Sequence, residues 1–252
     1  TAASFTENSA TAVNVGTALT LTDAESDNIT GATVTISAGL LSGDTLSFTS
    51  ANGITGGYNS TTGVLSLTGT TTAANYATAL QSVTFITTND GPGATRTLTW
   101  VANDGKGNSN AKTSTINLTA SNDNPTAVGV NLSSTEDTVF KFRISDSLVG
   151  KVTDPDDGAS VAGIAINWNQ TTAVQGTWEW SANGTTAWTA LPSDITGSDL
   201  SFNMPTSALY LKSTAHLRFT PSANWNGSVN PVLFRIADNT MDATVNNGDR
   251  VD

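Results

Sequence analysis

Runs in which apolar and small polar side chains alternate one for one dominate this chain, and that period of two most narrows what it can fold into. Such runs are Ala18 to Leu21, Ala32 to Ile36, Val64 to Leu67, Val83 to Ile86, Arg96 to Val101 and Ser114 to Leu118. A strand points successive side chains to opposite faces, so alternation describes a strand with one face on a core and the other in water. Gly, Asn and Asp cluster between the runs as turn signals. One segment, Ala73 to Leu80, reads as a short helical turn. A second series in the same style covers Val139 to Phe142, Val161 to Trp168, Gly176 to Trp180, Leu217 to Phe219 and Val232 to Ile236. The expected class is all-β, as two tandem antiparallel β-sandwiches.

A length of 252 residues leaves room for two cores at about 150 residues per domain. The polar stretch Ala120 to Pro125 ends in a residue that cannot donate to a sheet, which makes it the natural boundary. The cut is placed between Asn124 and Pro125, giving domains 1–124 and 125–252. Each half opens with a Glu (Glu7, Glu136), followed 16 and 18 residues later by an acidic loop (Asp23-Ala24-Glu25; Asp154-Pro155-Asp156), then a late Asp (Asp104; Asp238). Repetition at this scale suggests an array. After Asp104 the first half has a further strand, Ala111 to Leu118, whereas Asp242 to Asp252 contains none. The second sandwich is therefore expected to lack its last strand, through an early stop or an inserted domain.

The formal charge is −11 and the few basic residues form no cluster, so nucleic acid and anionic membranes are excluded as expected partners. No run approaches the roughly 18 apolar residues of a bilayer span. Cysteine is absent, which leaves oxygen ligands, or the single His216, for any metal. That favours a hard cation. Calcium takes six to eight oxygens at about 2.3–2.6 Å, and an Asp-x-Asp loop such as Asp154-Pro155-Asp156 offers two carboxylates on one side of an extended segment. A sandwich can bring Asp238 to the same end, beside a linker carrying Asn122 and Asp123. With Glu7 at the far end of the first domain, the carboxylates of Glu7, Asp123, Asp154, Asp156 and Asp238 would repel one another without a cation.

These residues resemble the cadherin and bacterial cadherin-like domains. Glu7-Asn8 is similar to the Glu-Asn of that family's first strand, Asp154-Pro155-Asp156 to its Asp-x-Asp loop, Asp238 to its late Asp, and Asn122-Asp123-Asn124-Pro125 to its linker. Phrases such as Gly63-Val64-Leu65-Ser66-Leu67-Thr68-Gly69 and Gly176-Thr177-Trp178-Glu179-Trp180-Ser181 are similar to repeats of large repeats-in-toxin adhesins of Gram-negative bacteria. The resemblance implies interdomain Ca2+, an extracellular location on the bacterial surface, neighbouring domains of the same adhesin as partners, and a stiff-spacer function in cell adhesion. It also implies that Asp23, Glu25 and Asp104 face a preceding domain and Glu136 a following one. Two departures stand out. Ala120 occupies the place of a linker Asp, and the first domain's own acidic pair has only Asp90, in the Asn89-Asp90-Gly91 turn, as a stand-in. One to three calcium ions remain compatible with this pattern.

Enzymatic readings find little support. His216 lies in a strand pattern and no Gly-x-Ser-x-Gly elbow is present. The paired carboxylates map to domain ends, not to the aromatic-lined cleft a glycosidase needs. The alternative function is a binding module in which Trp178, Trp180 and Trp188 hold a glycan or peptide from a host or microbial surface. Against it, Trp178 and Trp180 share a strand face and Trp188 follows an Asn183-Gly184 turn, so a hairpin ladder accounts for all three.

Overall fold

The computed structural model describes residues 2–23, 25, 28–130, 137–156, 158–192, 195, 208–241 and 243–251. The fold is all-β, with two short helices among the described residues. The chain divides into two compact units, Thr1–Asn122 and Asp123–Asp252, a division that falls before the Asn124–Pro125 bond.

The first unit contains β1 (Ala3–Thr6), β2 (Val13–Asn14), β3 (Ile29–Ala38), β4 (Thr45–Ser47), β5 (Thr55–Asn59), β6 (Val64–Thr71), α1 (Ala73–Gln81), β7 (Thr84–Ile86), β8 (Thr95–Asn103) and β9 (Lys112–Thr119). Six strands form one sheet in the order β1-β9-β8-β3-β6-β5, and three form another, β2-β7-β4. Alternation explains the burial: Val34 and Ile36 of β3, Leu65 and Leu67 of β6, Leu98 and Trp100 of β8, and Ile116 of β9 point into one core. Leu46 and Phe85 of the smaller sheet enter the same cluster, and Phe85 meets Phe5 of β1 edge-on at 5.7 Å. The helix α1 starts at Thr72, whose hydroxyl accepts the Asn75 N–H at 3.3 Å. It buries Tyr76, Ala79 and Leu80, spaced to lie on one face. The Tyr76 hydroxyl donates to the Gly69 carbonyl at 2.6 Å, and burial pushes its pKa up.

The alternating run Ala18 to Leu21 is not a strand. Leu19 and Leu21 pack half-buried against the core, but the local backbone is held by a turn (Leu19 N–H to the Gly16 carbonyl, 3.0 Å) and by the Gln81 side chain, which donates to the Leu19 carbonyl at 2.9 Å. Alternation records which side chains are buried; a strand also needs a neighbouring backbone.

The second unit contains β10 (Thr126–Ala127), β11 (Phe140–Arg143), α2 (Ile144–Leu148), β12 (Val152–Thr153), β13 (Val161–Asn169), β14 (Gly176–Ser181), β15 (Thr189–Ala190), β16 (Ala208–Lys212), β17 (His216–Pro221), β18 (Val232–Asp238) and β19 (Arg250–Val251). The sheets run β11-β17-β14-β15 and β18-β13-β16-β19, with β10 and β12 as a separate pair. Ile164, Ile166, Leu209 and Leu211 of one sheet share a core with Leu217, Phe142, Trp178 and Trp180 of the other. In the first unit β9 pairs with β8 over six positions, Thr95 to Trp100 of β8. In the second, among the described residues, β18 pairs with β13 alone, and the short β19 joins β16 at the opposite edge.

Candidate metal centre

Glu7 is placed by strand register. The strand β1 runs parallel to β9, with Phe5 opposite Leu118 and Thr6 opposite Thr119, and the Glu7 N–H continues the ladder to the Thr119 carbonyl at 2.9 Å. Glu7 shares the inward parity of Phe5, so its side chain is buried although it is charged. Asn8, with φ of 62°, then turns the chain away. The Glu7 Oε2 accepts the Ser121 N–H at 2.8 Å, tying this carboxylate to the segment that leaves β9.

Asp90 sits in the turn between β7 and β8. That turn is shaped by Asn89, whose Oδ1 accepts the Gly91 N–H at 3.0 Å and whose N–H donates to the Thr87 hydroxyl at 3.1 Å. Glu7 and Asp90 of the first unit each offer one carboxylate oxygen, and these oxygens lie within 4.8 Å of each other. Glu7 is buried, Asp123 half-buried and Asp90 exposed. Two unit charges 4 Å apart repel by roughly 1 kcal/mol in water and about 4 kcal/mol at an effective dielectric of 20, so burial of Glu7 makes this cluster unfavourable without a counter-charge. A cation with bonds of about 2.4 Å can bridge oxygens at this separation, and an all-oxygen donor set suits a hard one. These residues can therefore hold a metal ion. A cleft of about 280 Å³ lined by Asn8, Ser9, Thr87, Thr88, Asn89 and Asp90 offers further oxygens beside Asp90.

Within the second unit, β10 pairs with β12, which leads into Asp154-Pro155-Asp156. The Asp156 N–H donates to Asp154 Oδ1 at 3.2 Å, curling the loop, and Asp156 Oδ2 accepts the Asp123 N–H at 2.9 Å. Asp238 ends β18 opposite Val161 and is buried; its Oδ1 accepts the Thr240 N–H at 2.8 Å and the Thr240 hydroxyl at 2.5 Å. Asp154, Asp156 and Asp238 line one cleft of about 530 Å³.

Among the described residues no three acidic groups of the second unit converge on one point. Asp23 is half-buried and Glu25 exposed, and neither joins such a group. Asp104 serves its own turn: its Oδ1 accepts the Lys106 and Gly107 N–H groups at 2.7 and 2.8 Å, and the Gly107 and Lys106 bonds hold its pKa below the usual carboxylate value. Asn122 and Asn124 are exposed. Glu136 lies outside the described residues.

The three tryptophans do not form one ladder. Trp178 and Trp180 pack on the core, Trp178 against Phe219 at 5.2 Å and Phe142 at 6.3 Å. Trp188 instead stacks with Arg218, whose Cζ is 4.2 Å from the ring centroid and whose Nε bonds Glu179 at 2.7 Å. Glu179 lies between Trp178 and Trp180 and so points to the opposite sheet face. His216 is a β17 residue under the Asn183-Gly184 turn, where a Cβ on Gly184 would come within 2.6 Å of its ring.

Sequence reading missed the ion pair under the Asp90 turn. Arg96 Nε and Nη2 donate to Asp44 Oδ2 and Oδ1 at 2.6 and 3.2 Å, and both residues are buried. Its signal is visible in retrospect: Arg96 occupies the inward phase of β8 with Leu98, Trp100 and Ala102. No family model, curated protein or solved structure matches this chain, so geometry carries the functional interpretation.

Proposed function

We infer that this chain is a calcium-stiffened spacer segment of a bacterial surface adhesin, with a mechanical and not a catalytic function. The observation that carries this reading is the convergence of Glu7 and Asp90 within 4.8 Å at the end of the first unit that leads into the linker. It is supported by the way carboxylates grip the linker backbone, Glu7 at the Ser121 amide and Asp156 at the Asp123 amide. Calcium bound to carboxylates flanking the linker restricts its torsions. Without calcium, like charges repel and the linker hinges, as small polar interdomain connections ordinarily do. The acidic cleft of Asp154, Asp156 and Asp238 supplies further oxygens for the same class of ion.

Small-angle scattering tests this directly. In calcium the particle is expected to be longer and narrower than in chelator, and Asp90→Ala is expected to abolish the difference. Superimposable profiles with and without calcium would contradict the spacer function.

A further inference from the structure

In a chain with 21 acidic and 10 basic side chains, one surface of the second unit runs against the excess. The strands β11, β17 and β14 lie side by side, and register places Lys141 directly opposite Arg218, and Arg218 opposite Glu179. Phe142, Leu217 and Trp178 of these strands pack on the core, so alternation puts Lys141, Arg143, Arg218 and Glu179 together on the outer face. Lys141 and Arg143 are both exposed. Cross-strand neighbours stand about 5 Å apart and alternate residues of one strand about 7 Å, so three cations and one carboxylate share a small area. The separation of β11 and β17 along the chain hides this cluster from the sequence.

Like charges directly opposite each other destabilise a sheet. Only Arg218 has its charge matched, by Glu179 at 2.7 Å. Lys141 Nζ reaches over β17 to the Gly184 carbonyl at 3.1 Å, and among the described residues Arg143 makes no ion pair. Trp188 lies half-buried on the same face, with the Arg218 Cζ 4.2 Å from its ring centroid, so Arg218 is fixed from two sides. Thr177 and Thr220, opposite each other, continue the face with hydroxyls. The apolar cleft of this unit, about 260 Å³ and lined by Phe142, Trp178 and Phe234, is on the core side of the sheet. Peptide partners are anchored by side chains that fill such pockets, and the outer face presents charge, hydroxyls and one aromatic ring instead.

We propose that the outer face of β11, β17 and β14 binds an acidic polysaccharide, with Lys141 and Arg143 meeting its carboxylates and Trp188 packing against a sugar ring. A guanidinium fork matches a carboxylate, and an indole offers a broad apolar surface with a polar edge. Duplex nucleic acid suits the face less well. It carries one charge per about 1.7 Å, and a chain of formal charge −11 repels so dense a polyanion more strongly than a uronate chain. The site stands apart from the carboxylates of the candidate metal centre and is independent of the calcium reading.

Calorimetry on the whole chain in chelator and low salt tests it, with oligogalacturonate, capped oligoglutamate and oligothymidylate of matched charge as probes. Oligogalacturonate is expected to bind most tightly, and to release as salt is raised. The double variant Lys141→Thr with Arg143→Thr should raise its Kd about tenfold, while thermal stability without ligand is kept or increased because like charges are removed. Trp188→Ala should raise the oligogalacturonate Kd about fivefold and leave oligoglutamate nearly unchanged. No binding of oligogalacturonate, or an unchanged Kd in the double variant, would overturn the proposal. Tighter binding of oligoglutamate or oligothymidylate would assign the face to an acidic peptide or a nucleic acid and overturn it equally.

Discussion

Carboxylates gather in both units, but by different routes. In the first unit Glu7 and Asp90 come from a strand end and a distant turn, and meet because β1 pairs in parallel with β9 and because the Asp90 turn sits on segment 41–44. In the second, Asp154 and Asp156 share one loop and Asp238 closes the adjoining strand, with N–H groups from nearby turn residues on Asp154 and Asp238 and the Asp123 N–H on Asp156. The first arrangement depends on long-range packing and concentrates like charge around a buried Glu7. The second is largely a property of local turns, and its carboxylates are partly neutralised by the donors they accept. A cation therefore matters more to the first.

The largest expected effect separates the units by burial of their ion pairs. Arg96→Met alone leaves Asp44 buried and uncompensated, and should cost about 3–5 kcal/mol in urea unfolding of the first unit. Arg218→Met removes a more exposed pair, whose side chains are 29% and 21% accessible, together with the stacking on Trp188. That change should cost only roughly 1 kcal/mol. Equal losses would break the comparison.

Next in size is the effect on calcium affinity. Glu7→Gln keeps an oxygen acceptor for the Ser121 N–H but removes a charge from the cluster. Calorimetry should show a Kd raised about tenfold or more, equivalent to about 1.4 kcal/mol, while thermal stability in chelator rises because a like charge is gone. Asp238→Asn keeps an acceptor for Thr240 and should raise Kd by less than about tenfold. A larger effect from Asp238 than from Glu7 would reverse the ranking of the two sites.

The smallest effect belongs to Asp104. Its folded pKa is depressed by the Gly107 and Lys106 N–H bonds, so its contribution is complete above the ordinary carboxylate pKa. It fades as pH falls through the lowered folded value. Amide exchange at Gly107 should accelerate over that acid range, and Asp104→Asn should remove the pH dependence.

What the sequence disclosed follows from which interactions are local. β3 and β8 are legible because Val34, Ile36, Leu98 and Trp100 keep strict phase. β5, with Gly56 and Gly57, carries no alternating apolar face and exists because β6 pairs with it. Ala18 to Leu21 shows the converse, alternation without a partner strand. Candidate ligands were recognisable as residue types, and the resemblance already set Glu7 at the junction with Asp90 as a stand-in there, whereas Asp104 is spent on its own turn. Trp188 was misgrouped because turn geometry, not spacing, decides which sheet face a residue after Asn183-Gly184 occupies. Arg96 could have been found, since a charge in phase with three buried residues needs a buried counter-charge. Its partner Asp44, 52 positions away, could not.

Anomalous diffraction from crystals of the whole chain grown in calcium tests the central claim most directly. A calcium site at Glu7 and Asp90 predicts a strong peak bonded to their carboxylate oxygens at about 2.3–2.6 Å. Clear density for the two side chains turned apart, with water alone between them, would contradict it.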